Sequence, residues 1–399
     1  MFYTRDLGEL KGEIKKQKIA VIDIEASMYN QVELVGYMDD NGYIPFKTVQ
    51  ELLEHILTTR MASYTFYAHF GGRYDYLALI KELYKFGKKI TIITSNSRII
   101  IFKFKKGKYT FNFVDSYNLL PSSLANIGKD FKLSKGEFDF NKDFSDEEKL
   151  IEYNKRDCEI LYKALNEFQD TINNLGGSMK YTIASTSMDL FRRKFLGSTV
   201  IKDTDRVNPY IRQAYYGGRC EVFKKVAPKS YLFDFNSLYP SVMIDNYMPV
   251  GQAYLINTPK IPDINEHPCA FIEAEIMTPD EDYIPLTPYR FNDKLIFPQG
   301  KYKGWYDIVT VYKAMEIGYI VNPERYIIFT DYKKIFKDYI STLWELRQKA
   351  KEDGNDSLST IVKLLMNSLY GKFGQREEQE LMLINPPVDD IVSKGYVPY

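Results

Sequence analysis

Residues 18–46, KIAVIDIEASMYNQVELVGYMDDNGYIPF, open with an apolar run that begins to alternate with acids, the signature of a strand with one buried face. Asp23 and Glu25 are two apart and therefore share one face of that strand. Asn41-Gly42, the strongest short hairpin signal, follows YMDD at 37–40 and predicts a turn there. In 65–80, TFYAHFGGRYDYLALI, two glycines let the backbone bend, and Asp75 opens a segment with apolar spacing at Leu77, Leu79 and Ile80. Strands are expected over 90–103 and 109–115, flanking a Lys-Lys-Gly-Lys turn. A long helix should then start at a capping box, Ser145 with Glu148, and stop at Gly176-Gly177. Tyr153 and Asp157 share a face of it at i, i+4.

After residue 177 the pattern changes. An amphipathic helix is predicted over 181–197, with a domain boundary near 178–185. AYYGGRCEVF at 214–223 reads as a turn whose Gly217-Gly218 admits close backbone approach and whose Arg219 suits phosphate. In YLFDFNSLYPSVM, 231–243, Tyr231–Phe233 read as a short buried strand with Asp234 at its end. Pro240 should force Tyr239 into extended geometry and so fix where it points. Two helices, 333–351 and 357–374, are joined by EDGND at 352–356 into a hairpin. On the second, Lys363, Asn367 and Tyr370 fall on one stripe and Gly371 ends the helix; Arg347 and Lys351 are i, i+4 on the first.

Composition narrows the chemistry. The chain has 399 residues, enough for two or three domains, and 45% hydrophobic content to fill their cores. Its 53 basic and 53 acidic residues cancel, so any surface for a polyanion must be local. The 33 Tyr and 25 Phe suit stacking surfaces but are more often core. Three scattered cysteines form no ligand pair, which argues against a zinc or disulfide framework and fits a reducing, cytoplasmic setting. With three histidines, a metal must be held by carboxylates, which favours Mg²⁺ or Mn²⁺. No apolar run is long enough to span a bilayer.

Asp23 and Glu25, side by side on an otherwise apolar strand, repel unless a cation lies between them; the alternative is a solvated strand face. The order Asp-x-Glu on a strand, Asp after a Gly-rich bend, and Tyr-x-x-x-Asp on a late helix resembles the three motifs of proofreading 3′–5′ exonucleases. DFNSLYPS (234–241) and KLLMNSLYGKFG (363–374) resemble motifs A and B of family B DNA polymerases. KGEFDF (135–140) and Tyr-x-Gly-Gly (215–218) resemble elements of the protein-primed branch found in phages and linear plasmids.

That resemblance implies a mixed α/β and α+β architecture. An RNase H-like exonuclease domain (1–180) would precede part of a polymerase palm (181–330), helical-hairpin fingers (331–376) and the start of a further palm segment (377–399). It implies Asp23, Glu25, Asp75 and Asp157 as exonuclease metal ligands, Tyr153 and Lys135 assisting, and His69, Tyr74 and Ser116 on the frayed primer end. In the polymerase part, Asp234 and the Phe235 carbonyl would bind metal, Ser237 and Leu238 the triphosphate, and Tyr239 the sugar. Arg347, Lys351, Lys363, Asn367 and Tyr370 would meet the nucleotide; Tyr215, Gly217, Gly218, Gly371, Lys372 and Phe373 would meet DNA. The implied partners are primer-template DNA, deoxynucleotides and a terminal-protein primer.

The chain departs from the family at Phe70 (usually Asn), Ala26 (often Thr), Phe140 (Tyr) and Ser359 (often Lys). More consequential, motif C, Tyr-x-Asp-Thr-Asp, is absent; PPVDDIV at 386–392 reads as a loop. The expectation is a polymerase with proofreading, split or truncated, needing a second polypeptide that carries motif C and thumb. Two alternatives stay open: a stand-alone exonuclease with a vestigial palm, and a non-catalytic DNA-binding replisome module.

Overall fold

The computed structural model describes residues 5–27, 31–95, 98–133, 138, 146–375 and 380–384. In chain order the first elements are β1 (Lys18–Ala26), β2 (Val32–Asp39), β3 (Gly42–Phe46), α1 (Val49–Ile56), β4 (Tyr64–Ala68) and α2 (Asp75–Tyr84). Then come β5 (Ile90–Ser95), β6 (Arg98–Lys106), β7 (Tyr109–Asp115), α3 (Leu124–Asp130), α4 (Glu147–Leu175) and α5 (Ile183–Leu190). The next set is α6 (Asn208–Ile211), α7 (Leu238–Asp245), β8 (Met248–Pro249), β9 (Ala253–Ile256), β10 (Phe271–Met277), β11 (Tyr289–Phe291) and β12 (Lys294–Ile296). It continues through β13 (Lys301–Asp307), α8 (Ile308–Glu316), β14 (Ile320–Phe329) and β15 (Tyr332–Lys333). The last are α9 (Lys337–Glu352), α10 (Asp356–Phe373) and β16 (Glu380–Ile384).

The chain forms two compact units. One comprises 11–194, 343–372 and 376–399; the other comprises 1–10, 195–342 and 373–375. The first is built on an eight-stranded sheet in the order β16-β5-β6-β7-β4-β1-β2-β3. β1, β4 and β7 run parallel, and the remaining neighbours are antiparallel. Its core mixes aliphatic side chains with an aromatic stack: Phe102 and Phe113 stack at 4.3 Å between centroids, and Phe66 lies 5.0 Å from Phe113. Leu52, Leu53 and Ile56 of α1 and Leu79 and Leu83 of α2 pack into the same core. α4 lies against β1 and β2.

Several elements form where the hydrophobic pattern predicts them, with instructive shifts. The β2–β3 hairpin turns at Asn41-Gly42, with Gly42 at φ +113°. The stretch 90–103 is two antiparallel strands, not one. The expected cap Ser145 lies outside the described residues; Asp146 caps α4, accepting from the Lys149 N–H at 3.1 Å. Gly176 ends α4 in the left-handed region at φ +95°. The predicted helix over 181–197 breaks after Leu190 into a π-helical turn, Phe191–Phe195. Buried Asp189 anchors that junction, accepting from the Ser178 N–H and pairing with Lys180 and Arg193.

The second unit centres on a four-stranded antiparallel sheet, β13-β10-β14-β9, with α8 packed on it. Arg325 pairs with Glu273 and lies over Tyr210 and Trp305, so its charge is matched where it is partly desolvated. No helix among the described residues is long and apolar enough to cross a membrane.

Candidate active site

β1 carries Asp23 and Glu25 toward its C-terminal end, and α4 brings Asp157 over the same end. Carboxylate oxygens of Asp23, Glu25 and Asp157 lie within 4.8 Å of one another. Asp75, the first residue of α2, accepts from the Ile24 N–H at 2.9 Å, on the strand between the two acids. Glu25, Asp75 and Asp157 are buried. Burial pushes the Asp75 carboxyl above the usual range; the Ile24 N–H opposes this, and the fields of Glu25 and Asp115 add to it. Acids gathered at one apolar strand end repel one another when ionised, and a cation among them would relieve that repulsion. An all-oxygen donor set fits Mg²⁺ or Mn²⁺.

The reading of the sequence missed Asn154. Its Nδ2 donates to Asp23 Oδ2 at 2.9 Å and to the Asp23 carbonyl at 3.2 Å. Its Oδ1 accepts from the Tyr43 hydroxyl at 2.8 Å. Asn154 is one turn before Asp157 on α4, so the helical period that paired Tyr153 with Asp157 could also have found it. Gly36, register partner of Asp23 on β2, makes this approach possible: a Cβ there would fall 1.8 Å from Asn154 Oδ1. Tyr153 is buried, its ring 4.9 Å from Phe138. Lys135 lies outside the described residues.

At the same sheet end, beyond β4, His69 Nε2 donates to the Ser122 carbonyl at 2.8 Å. Its Nδ1 lies 3.0 Å from Ser116 Oγ, which itself donates to the Ala68 carbonyl. Gly71 and Gly72 have ordinary φ values and serve packing: a Cβ at Gly72 would sit 2.0 Å from the Ile99 carbonyl. The sharp bend belongs to Phe70, in the left-handed region at φ +57°. Asn, the residue expected there from the resemblance, tolerates that region better than Phe. Phe70 is held by Tyr117, 4.1 Å between ring centroids, which Arg98 covers at 4.8 Å. Tyr74 precedes α2, half-buried, with burial pushing its hydroxyl upward.

In the second unit the expectations for 231–243 need correction. Tyr231, Leu232 and Phe233 form no strand and are exposed, Leu232 by 99%. A strand needs a partner for its N–H and C=O groups, and no described strand pairs with these residues. Asp234 and Phe235 are exposed too, and Ser237 is left-handed at φ +53° before α7. Tyr239 is not extended but lies in the first turn of α7. Pro240 is tolerated there because first-turn N–H groups have no helical acceptor. Leu238 and Tyr239 are exposed, while Pro240 and Met243 are buried.

Arg219 is engaged by Glu221 at 2.6 Å and by the Pro285 carbonyl rather than left for an outside phosphate. Gly217 and Gly218 are exposed, with nothing within 4 Å of a Cβ at either and no positive φ, so the fold itself does not require glycine there. The neighbouring Tyr215 carbonyl accepts from Arg290.

On α10, Lys363, Asn367, Tyr370 and Gly371 are all exposed along one stripe, opposite buried Ile361, Val362, Leu365, Met366 and Leu369. The helix runs on to Phe373 rather than ending at Gly371. Phe373 does not face outward: it is buried, 5.2 Å from Phe336. Half-buried Lys372 has its amino group pushed down by burial. On α9, Lys351 is exposed, whereas Arg347 Nε is buried with no hydrogen-bond partner among the described residues.

This mixed α/β fold resembles that of Phi29 DNA polymerase. The orthorhombic crystal form matches with a TM-score of 0.75 at 22% identity, over 90% of this chain and 69% of that one. The complex with primer-template DNA and incoming nucleotide matches with a TM-score of 0.71 at 21% identity, over 90% and 68%. The sequence profile of DNA polymerase type B, organellar and viral, matches residues 57–147 and 141–390, and the chain belongs to that family. A probable DNA polymerase of Ascobolus immersus is 28% identical over 89% of this chain and 34% of its own length. The DNA-directed DNA polymerase of Enterobacteria phage PRD1 is 28% identical over 81% and 54%. The chain thus spans about a third to a half of these relatives.

Proposed function

We propose that this chain contributes to DNA-directed DNA synthesis and carries a 3′–5′ proofreading exonuclease. The observation that carries the exonuclease reading is the gathering of Asp23, Glu25 and Asp157 within 4.8 Å, with Asp75 bonded to the strand between the first two. These four acids would hold Mg²⁺ or Mn²⁺, which when bound supplies charge stabilisation and water activation for phosphodiester cleavage. Asn154 orients Asp23, Tyr153 would position water, and Lys135 is the residue assigned to the scissile phosphate. His69, Ser116 and Tyr74 grip the single-stranded 3′ end. In these terms 1–180 is an RNase H-like exonuclease domain, 181–330 palm and 331–376 fingers, while β16, expected within a further palm segment, pairs instead with β5 of the exonuclease sheet.

For synthesis, Asp234 and the Phe235 carbonyl are the metal-binding pair, Ser237 and Leu238 meet the triphosphate, and Tyr239 screens the sugar. The exposed stripe Lys363, Asn367 and Tyr370 supports a nucleotide-facing helix, with Arg347 and Lys351 supplying further cations for phosphate. Tyr215, Gly217 and Gly218, open to approach, together with Gly371 and Lys372, line the DNA path. The exposure of Tyr231, Leu232, Phe233 and Phe235 supports a further requirement: a strand bearing the second acid must pair here before synthesis can proceed. A segment outside residues 1–399 that carries motif C and thumb is the proposed source, and a terminal protein the proposed primer.

The test has two arms. A 5′-labelled single strand with Mg²⁺ should shorten from its 3′ end, and Asp23→Ala with Glu25→Ala should abolish this; full activity in the double variant would sink the exonuclease assignment. Primer extension by residues 1–399 should require a segment with Tyr-x-Asp-Thr-Asp, supplied fused or in trans. Robust extension without it would show that the exposed segment needs no partner strand.

A further inference from the structure

The sheet of the first unit has two ends. β1, β4 and β7 are parallel, and their C-terminal ends carry Asp23, Glu25, His69 and Asp115. β7 spans seven residues, so its start lies about 20 Å from the acid end at a rise of ~3.3 Å per residue. At that far end sit the β6–β7 hairpin tip and the loop that follows α2. The Lys105 N–H donates to the Lys89 carbonyl at 3.2 Å and joins the two.

The composition of this corner is unlike that of the chain, whose charges cancel. YKFGKK (84–89) and KFKKGK (103–108) contain no acid. Lys85, Lys88, Lys105, Lys106 and Lys108 are exposed. The nearest acid on α2, Glu82, pairs with Lys85 at 2.6 Å and cancels one charge. Lys106 Nζ donates to the Leu57 carbonyl, which fixes its position without neutralising it. Gly87 and Gly107, both at φ +60°, make the tight turns that present these cations. Between the lysines stand Tyr84, 59% exposed, and Phe86, 47% exposed and steadied from below by Phe104 at 6.2 Å.

Lone exposed aromatics are ordinary, and lone lysine clusters are usually solvated. Aromatic faces set among unneutralised cations are what a single strand needs: bases stack on the rings while phosphates meet the ammonium groups. A duplex keeps its bases stacked on each other and has no use for the rings. We infer that this corner is a second binding surface for single-stranded DNA, remote from the acid cluster. It rests on the proposed function only in the choice of DNA. A strand that keeps duplex-like stacking between the two ends would span the distance with about six nucleotides at ~3.4 Å each, and an extended one with fewer.

The test uses the whole chain in an Asp23→Ala, Glu25→Ala background, where the exonuclease reading predicts no cleavage. Fluorescence anisotropy measures binding of an oligo-dT several times longer than this span, as a function of salt. Replacing Lys88, Lys105 and Lys108 with Gln should flatten the dependence of log Kd on log salt by up to ~2.1, at about 0.7 per phosphate contact. Tyr84→Ser with Phe86→Ser should weaken binding about tenfold with the salt slope kept. In the otherwise native chain, cleavage of an oligonucleotide shorter than the span should be unaffected by either set, with KM rising only for the long one. An unchanged slope and affinity in both sets, with unaltered circular dichroism, overturns the inference. Duplex DNA competing as well as single strand overturns the single-strand assignment. Cleavage persisting in the acid-cluster background would instead refute the proposed exonuclease and leave this surface standing.

Discussion

Replacing Gly36 with Ala perturbs the candidate exonuclease site from behind. The new methyl carbon would fall 1.8 Å from Asn154 Oδ1, 2.8 Å from its Cγ and 3.1 Å from Cys158 Sγ. Ordinary carbon contacts are about 3.5–4.0 Å, so α4 and β2 would have to separate by roughly 1.5–2 Å or Asn154 would have to turn away. Asn154 is fully buried and tied to both Tyr43 and Asp23, so turning breaks those bonds. Overpacking of this kind costs about 1–3 kcal/mol. Losing the bond to the Asp23 carboxylate adds about 1.5–3 kcal/mol. The assay pairs thermal unfolding by circular dichroism with Mg²⁺-dependent shortening of a labelled strand. The single variant should lose both stability and activity. Adding Asn154→Ala removes the obstruction, so stability should partly recover while activity does not, because Asp23 still lacks its donor. Native stability and activity in Gly36→Ala would show that α4 does not rest on β2 at this point.

Three further outcomes follow from particular contacts. Burial raises the Asp115 carboxyl, so between the ordinary carboxylate value and the raised one the folded chain binds more protons than the unfolded chain, and stability falls as pH rises through that window. Asp115→Asn should therefore match the parent at low pH and become progressively more stable than it above about pH 4, where an unfolded Asp ionises; a gap that stays constant in thermal melts across pH would refute this. Ser357 is buried and donates to Glu167 of α4, so Ser357→Ala should loosen the turn between α9 and α10 by about 1–2 kcal/mol, read as faster hydrogen exchange over 352–358. Unchanged exchange would mean that the contact holds nothing. Tyr239→Val, assayed in a reconstituted polymerase, should raise ribonucleotide relative to deoxyribonucleotide incorporation, and an unaltered ratio would remove Tyr239 from the sugar site.

What the sequence disclosed depended on how local the cause was. Asp23 and Glu25 share a face because a strand repeats every two residues, and the Asn41-Gly42 turn follows from two residues alone. Asp157 reaches Asp23 across more than a hundred residues, and only the order of motifs, not any periodicity, pointed to that meeting. Residues 231–233 have a strand's composition, but a strand is a relation between two segments, and composition carries half of it. At 69–72 the glycines drew attention while the strained backbone sat at Phe70, because Gly71 and Gly72 are small for the sake of their neighbours and not for their own φ.

β16 has a consequence for how the chain is made. Its residues Glu380–Ile384 pair with β5, Ile90–Ser95, and so close one edge of the large sheet with a segment made roughly 290 residues later. At about 5–20 residues per second the ribosome needs about 15–60 s to supply it. Throughout that interval ITIITS, a β-prone and uncharged run, is an open edge on a nascent chain whose other strands can already have paired. Lys88 and Lys89 immediately before it place like charges beside any second copy that tries to add there. Lys88, which favours a nucleic-acid strand in the finished molecule, would thus also help to keep nascent chains apart during synthesis.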